Sequence, residues 1–351
     1  MPTNKTSDST MKTTTLGLDG PSVSSFALGT MTFGVETDET VAHHQLDAFV
    51  EAGGTFIDTA DVYGNGESER IIGRWLKRRG GADDLTMATK GRFAPRQGLA
   101  GASRPNLTHS VDASLERLGL DAIDVYSVHG WDKDTPVAET LDTLSGLVRE
   151  GKIKHVGWSN VTGWQLQQIL SAAEREGFVH PVALQPQYNL LDRTIELEVM
   201  PCALSGGLSI TPWSPLGGGW LTGKYRAQER PTGPTRLGDD PNRGVEAYDL
   251  RNTDRTWQII TELQSVATEI GSPMAHVALA WLATRPGVSS TLLGARTLEQ
   301  LTDNLRAADL ELDQATLGRL THISNPGLPA YPYGMIENFC DVTVWRELGL
   351  R

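Results

Sequence analysis

The chain has 351 residues, of which 39% are hydrophobic and 21% charged, so it can bury a large core and global disorder is excluded. Its net charge of −12 argues against nucleic acid as a general partner, and no apolar run approaches the roughly 18 residues that span a bilayer. Its two cysteines, Cys202 and Cys340, fit neither a disulfide framework nor a zinc site, and a reducing cytoplasm is the simplest compartment.

Residues 1–11 are polar and lack the apolar stretch of a signal peptide, which predicts a disordered tail before one folded domain over 12–351. Eight short apolar runs follow, each separated from the next by a longer stretch. The runs are continuous rather than alternating, as is typical of parallel strands covered on both faces. They lie at 26–29, 55–58, 85–90, 122–129, 153–159, 182–185, 208–213 and 288–294.

The stretches between these runs have a helical period. Residues 38–53 open with a capping residue and close with Gly53, and residues 136–152 have a proline in their first turn and a glycine near their end. Eight strand–helix units predict the α/β class and a closed (β/α)8 TIM barrel, because a barrel leaves no sheet edge. An open doubly wound sheet is the alternative, weakened by the absence of GxGxxG after the first run.

Three segments interrupt the alternation. Residues 91–105 and about 217–253 are rich in Gly, Pro, Arg and Asp, and each follows a strand. We therefore expect both as long loops over the C-terminal mouth of the barrel, where barrel enzymes place their sites. The composition of 217–253 predicts little apolar anchoring and hence mobility. The segment after residue 324 is a third candidate for covering the mouth.

Four polar residues fall at the ends of successive predicted strands: Asp58 with Tyr63, then Lys90, then His129. A lysine ammonium favours the phenolate, so we expect a lowered pKa for Tyr63, which would protonate a forming alkoxide. Asp58 would hold Lys90, and His129 would orient a carbonyl oxygen. Each residue alone is more often an ordinary core group, and it is their shared position that favours a site. No metal motif is present.

The chain also resembles a known family, the aldo-keto reductases. The resemblance covers roughly residues 15 to 310 and rests on FIDTADVYGNGESERIIGRWL, MATKGRF, DVYSVHGWD, GKIKHVGWSN, QPQYNLLDR, WSPLGGGWLTGKY and GARTLEQLTDNL. It implies that Asp58, Tyr63, Lys90 and His129 form a catalytic tetrad. It also implies that NADPH binds first and gives hydride to a small aldehyde or ketone.

The same resemblance implies an NADP site with three parts. The nicotinamide amide would bind Ser159, Asn160 and Gln185, with Trp213 stacked on the ring. The segment over the pyrophosphate would include Ser214, Leu216, Gly218 and Lys224. The adenosine end would include Gly294, Arg296, Gln300 and Asn304, and Arg296 could bind a 2′-phosphate in bidentate fashion.

Trp131 and Trp220 are candidate substrate-pocket residues, although Trp220 in the long insertion is more readily a packing residue. Gln187 and Trp220 depart from the commonest family pattern, which affects substrate preference more than activity. The segments GWDKDTPVAETL and WSNVTGWQL leave open a sugar-nucleotide keto- or enoyl reductase of deoxysugar synthesis. A slow-turnover, cofactor-binding regulatory subunit is the other alternative. The sequence specifies neither the physiological substrate nor the oligomeric state.

Overall fold

A computed structural model describes residues 11–93, 98–233 and 235–350. Its eight parallel strands follow an N-terminal antiparallel hairpin, and all eight lie within or beside the predicted runs. The hairpin consists of β1 (Thr13–Thr15) and β2 (Ser22–Ser24). The parallel strands are β3 (Phe26–Gly29), β4 (Phe56–Asp58), β5 (Thr86–Gly91), β6 (Ile123–Val128), β7 (Ile153–Ser159), β8 (Pro181–Gln185), β9 (Ser209–Ile210) and β10 (Thr291–Leu293).

The eight strands close into a barrel. Their order is β10-β3-β4-β5-β6-β7-β8-β9, with parallel pairing throughout. The two ends of this sheet meet through backbone hydrogen bonds from Ile210 N to Gly287 O (2.7 Å), from Ser289 N to Ile210 O (3.0 Å) and from Leu292 N to Pro212 O (3.0 Å). The predicted (β/α)8 barrel is therefore confirmed, and the open-sheet alternative is wrong.

The helices lie between the strands, and their ends follow local sequence signals. Asp38 caps the first helix by accepting a hydrogen bond from Val41 N, and Pro136 directly precedes the fourth. Both predicted helices are confirmed. The helices are α1 (Glu39–Glu51), α2 (Glu67–Arg79), α3 (Arg104–Leu118), α4 (Val137–Arg149), α5 (Gly163–Glu176), α6 (Val199–Ser205), α7 (Arg236–Asp239), α8 (Tyr248–Arg251), α9 (Asp254–Ile270), α10 (Met274–Ala283), α11 (Leu298–Leu305), α12 (Gln314–Ile323), α13 (Met335–Phe339) and α14 (Val344–Glu347).

The hairpin closes the end of the barrel opposite the mouth. Leu16 and Val23 are fully buried and join the apolar cluster inside the barrel. Gly17 N donates to Ser209 Oγ (2.8 Å), at the start of β9, and Ser24 N donates to Thr55 Oγ1 (3.0 Å), just before β4. With its lower end plugged, the barrel is accessible to a small molecule at the carboxyl ends of its strands.

The segment 217–253 is anchored by large apolar side chains, so the expectation of little anchoring is wrong. Trp220, Leu237 and Tyr248 are almost completely buried in one cluster with α9 and α10. Trp220 stacks on Tyr248 with ring centroids 5.5 Å apart. A few aromatic residues thus compensate for the segment's many glycines and charges, because each buries a large area.

The C-terminal segment packs on the helical layer rather than over the mouth, contrary to expectation. Trp345 and Leu348 join the cluster formed with α9, α10 and α12. Trp345 Nε1 donates to Leu197 O (2.9 Å), and Arg285 donates to Leu348 O. At the other terminus, Met11 is buried in the core, whereas the rest of the predicted tail and residues 94–97 of the loop 91–105 lie outside the described residues.

Candidate active site at the barrel mouth

A buried ion pair joins the carboxyl ends of two neighbouring strands. Asp58 ends β4, and Lys90 lies on β5 with its side chain on the barrel side. The Lys90 Nζ atom is 2.6 Å from Asp58 Oδ2 and donates to Thr59 O at 2.7 Å. Burial alone would lower the pKa of Lys90, but the charges of Asp58 and Tyr63 hold it above its usual value. The ammonium is therefore charged at neutral pH.

Tyr63 lies beside this ammonium, at the start of a 3-10 turn. Its ring centroid is 5.2 Å from Lys90 Nζ. The enclosure of the phenol raises the pKa of Tyr63, and the attraction of Lys90 offsets this effect only in part. The prediction of a lowered pKa is therefore wrong for this structure, because it left out the cost of burying a phenolate. Tyr63 holds its proton at neutral pH.

His129 follows β6 and faces Tyr63. The two rings meet edge to face, with centroids 5.8 Å apart, and Phe93 packs on the imidazole at 5.1 Å. Burial, with the charges of Lys90 and Arg92, lowers the pKa of His129 to about 3. The ring is thus neutral and carries a single N–H donor.

A hydrogen-bond chain connects this cluster to the next strands. Gln185 Nε2 donates to Asp58 Oδ1 (2.9 Å), and Asn160 Nδ2 donates to His129 O (2.9 Å). Trp213 Nε1 donates to Asn160 Oδ1 (3.2 Å), and Ser159 Oγ donates to Gln185 O (2.6 Å). The four residues expected around a nicotinamide therefore converge beside the tetrad.

The loop after β9 forms a cradle of backbone groups. Ser214 has φ +54°, and Gly217, Gly218 and Gly219 all have positive φ, which favours glycine. A Cβ atom on Gly218 would lie 2.4 Å from Glu246 Oε2, so a larger residue does not fit. Glu246 is buried, accepts a hydrogen bond from Ser214 Oγ, and has a pKa raised by that burial. The Ser214 hydroxyl thus contacts a buried carboxyl group, and the close backbone approach that these glycines allow fits a pyrophosphate.

Three cationic side chains, Lys224, Arg236 and Arg296, lie close to one another near this loop. Burial lowers the pKa of Lys224, and the charges of Arg296 and Arg236 lower it further, as expected where three cations lie close together. Arg296 is paired with Glu36 (3.1 Å) and Asp239 (2.7 Å). A cluster of this kind is stabilised by a multiply charged anion, so these residues also fit a nucleotide phosphate.

The remaining predicted cofactor residues border this cluster. Arg296 N donates to Gln300 Oε1 (3.0 Å), and Asn304 is buried on the same helix. Gly294 directly follows β10, and Leu216 packs partly buried against two core clusters. The sequence reasoning overlooked Arg236 and Glu246, which lie 2.9 Å apart, because neither belongs to a motif that it used.

The two tryptophans expected in the substrate pocket, Trp131 and Trp220, differ in where their side chains lie. Trp131 packs edge to face on Trp164, with centroids 5.5 Å apart, near the mouth. Trp220 has no exposed surface and donates from Nε1 to Glu246 O (3.1 Å). The assignment of Trp220 to the pocket is therefore wrong, because its side chain anchors the loop from below. Phe93, 44% exposed beside His129, is a wall residue that sequence reasoning missed.

The fold and the site define an oxidoreductase on a TIM barrel, and comparison with known proteins agrees. The model of the Aldo/keto reductase family matches residues 25–325, and the chain belongs to this family. It is 35% identical to the uncharacterized oxidoreductase YrpG of Bacillus subtilis (strain 168), over 89% of this chain and 96% of that protein.

Two further relatives carry more specific names. The aryl-alcohol dehydrogenase [NADP(+)] of Phanerodontia chrysosporium is 31% identical, over 88% of this chain and 81% of that protein. A probable voltage-gated potassium channel subunit beta of Oryza sativa subsp. japonica is 35% identical, over 84% of this chain and 90% of that protein. Among the described residues, no helix has the length and apolar character needed to cross a membrane.

Proposed function

We propose that this protein is an NADPH-dependent carbonyl reductase that converts an aldehyde or ketone to its alcohol. The observation that carries the proposal is the buried Lys90 ammonium, which is held by Asp58 at 2.6 Å and lies 5.2 Å from the Tyr63 ring at the open end of the barrel. A protonated phenol next to a fixed cation is suited to give a proton to a forming alkoxide. The NADP(+)-named relative supports the choice of cofactor.

The tetrad residues act on the carbonyl oxygen. Tyr63 donates its phenolic proton to that oxygen, and the Lys90 ammonium stabilises the phenolate that remains. Asp58 keeps Lys90 charged and in place. His129 is neutral and offers its N–H as a second donor to the same oxygen. Bound NADPH would supply the hydride that the carbonyl carbon receives.

Three groups of residues would hold the cofactor. Asn160 and Gln185 would bind the nicotinamide amide beside Trp213, and the backbone around Gly218 would bind the pyrophosphate. Arg296 would pair with a 2′-phosphate in place of, or together with, its present carboxylate partners. NADH lacks the 2′-phosphate, so this contact with Arg296 is the basis for proposing NADPH rather than NADH.

The decisive experiment is NADPH oxidation with aromatic aldehydes by wild type and Tyr63→Phe. The change removes one oxygen, so folding and NADPH binding should survive. We expect kcat to fall by about 10²–10⁴, the contribution of general acid catalysis. Tyr331→Phe is the matched control, because Tyr331 is 76% exposed in the C-terminal segment.

A Tyr63→Phe enzyme that keeps more than about a tenth of wild-type kcat would contradict the proposal and favour His129 as the acid. Ketosteroids, sugars and nucleotide-linked ketosugars belong in the same panel, because the deoxysugar alternative predicts that only the nucleotide-linked ketosugars turn over.

A regulatory cofactor-binding subunit is the second candidate, favoured by the relative named as a channel subunit beta. It predicts tight NADPH binding with few turnovers on every carbonyl tested. Counting NADPH molecules oxidised per chain separates the two functions, since an enzyme continues far beyond one equivalent.

A further inference from the structure

Arg92 directly follows β5, the strand that carries Lys90, and its charge acts on His129. The Arg92 Cζ atom lies 4.5 Å from the centroid of the Phe93 ring, which itself packs on His129. The guanidinium therefore stands over the aromatic wall of the carbonyl site.

Within the described residues, this guanidinium has neither a hydrogen bond nor an ion pair. Its Nε atom is buried without a partner. Asp132, a carboxylate on which the charge of Arg92 acts, already accepts hydrogen bonds from Ala102 N (2.7 Å) and Thr135 Oγ1 (2.6 Å). A buried donor without a partner is costly, so its presence at a site points to a ligand that completes it.

The backbone of Arg92 gives independent support. Its φ is +119°, a region that side-chain-bearing residues seldom adopt, immediately after the strand that carries Lys90. A glycine would adopt this conformation without strain. Strain of this kind persists mainly where a side chain is needed at one particular place.

We propose that Arg92 is a specificity-determining residue that binds a carboxylate on the carbonyl substrate. This inference rests on the proposed reductase function and adds the substrate class, an aldehyde or ketone that carries an anionic group. The planar guanidinium suits two parallel hydrogen bonds to a carboxylate, and the Phe93 face beneath it suits an aromatic or other flat body. On a chain with net charge −12, this local cation also opposes the general repulsion of anions.

The test compares 4-carboxybenzaldehyde with its neutral methyl ester in wild type, Arg92→Met and Arg92→Lys. We expect Arg92→Met to lower kcat/KM for the carboxylate by about ten- to a hundredfold, chiefly through KM, the range of one charge-assisted contact. The ester should change by less than about threefold, since it forms no such contact. Arg92→Lys should give an intermediate kcat/KM for the carboxylate, because an ammonium keeps the charge but cannot form the two parallel hydrogen bonds of a guanidinium.

Arg175→Met is the matched control: it removes the same charge from an exposed position at the end of α5, where the arginine pairs with Glu176, and should alter neither substrate. An equal loss on carboxylate and ester in Arg92→Met, or no loss on either, would overturn the inference. If wild type reduces neither compound, the reductase proposal fails. Calorimetric titration of 4-carboxybenzaldehyde into wild type and Arg92→Met then decides the role of Arg92, since equal affinities would exclude it.

Arg92→Gly provides a measurement independent of activity. We expect a melting temperature no lower than that of wild type, because glycine relieves the positive φ, together with loss of the carboxylate preference. A lower melting temperature with an unchanged preference would mean that Arg92 serves packing alone, and would overturn the proposal.

Discussion

Replacing Lys90 by methionine should damage stability as well as chemistry, and the magnitude follows from its burial. The ammonium is fully buried and holds Asp58, which is itself only 2% exposed. Its removal leaves the Asp58 charge with Gln185 as its remaining side-chain partner among the described residues. Breaking a buried ion pair in this way costs about 3–5 kcal/mol. With an unfolding entropy of about 2.1 cal/mol/K per residue, a chain of 351 residues should lose about 4–7 °C in Tm.

Scanning calorimetry of wild type, Lys90→Met, Asp58→Asn, their double variant and a control tests this expectation. Lys154→Met is the control, because Lys154 is 60% exposed and its partner Asp124 keeps a hydrogen bond from Met87 N, so the loss should be about 0–1 kcal/mol. The double variant Asp58→Asn/Lys90→Met removes both charges, so it should be more stable than the sum of its single changes predicts, by about 0.5–3 kcal/mol. A Tm for Lys90→Met equal to that of Lys154→Met would refute the reasoning, since the ammonium would then not be compensating a buried charge.

Two further predictions concern pH and cofactor choice. Because the pKa of His129 is about 3 and that of Tyr63 lies above its usual 10.0, kcat for reduction should stay nearly constant from about pH 5 to about 9. An acid limb centred near 6.5 would instead make His129 the titrating acid. Arg296→Ala should weaken NADPH binding by about 1.5–3 kcal/mol while sparing NADH, because one charge-assisted contact is lost; fluorescence titration giving an unchanged NADPH Kd would contradict this role.

The barrel was predictable because its signals are local and repeated. Buried parallel strands are short apolar runs, and caps such as Asp38 mark the helix ends. The hairpin Thr13–Thr15 and Ser22–Ser24 was missed, since its threonines and serines form no apolar run. Its two buried apolar residues, Leu16 and Val23, are too few to form a strand-like sequence pattern. They are buried because they pack against the apolar interior of the barrel.

Residues 217–253 show a second reason why the sequence alone predicted the structure incompletely. The composition of residues 217–253 suggested mobility, yet Trp220, Leu237 and Tyr248 fix the segment to the helical layer. A residue count weights each glycine equally with each tryptophan, although one buried aromatic side chain contributes far more apolar area. The position of Trp220 in the insertion therefore suggested a substrate-pocket residue, whereas its complete burial shows that it anchors the loop.

The pKa of Tyr63 shows why a sequence motif alone does not predict the direction of a pKa shift. Proximity of Lys90 to Tyr63 predicted a lowered pKa, and the proximity is present, but the enclosure that brings the two together also penalises the phenolate. The same enclosure, with the same lysine, lowers the pKa of His129. Burial thus leaves both groups neutral at neutral pH, the phenol with its proton and the imidazole without a second one, while the charge of Lys90 opposes the first shift and reinforces the second. Of the two, only Tyr63 holds a proton that it can release to an alkoxide while Lys90 stabilises the anion left behind, so this pair of opposite shifts favours Tyr63 over His129 as the acid.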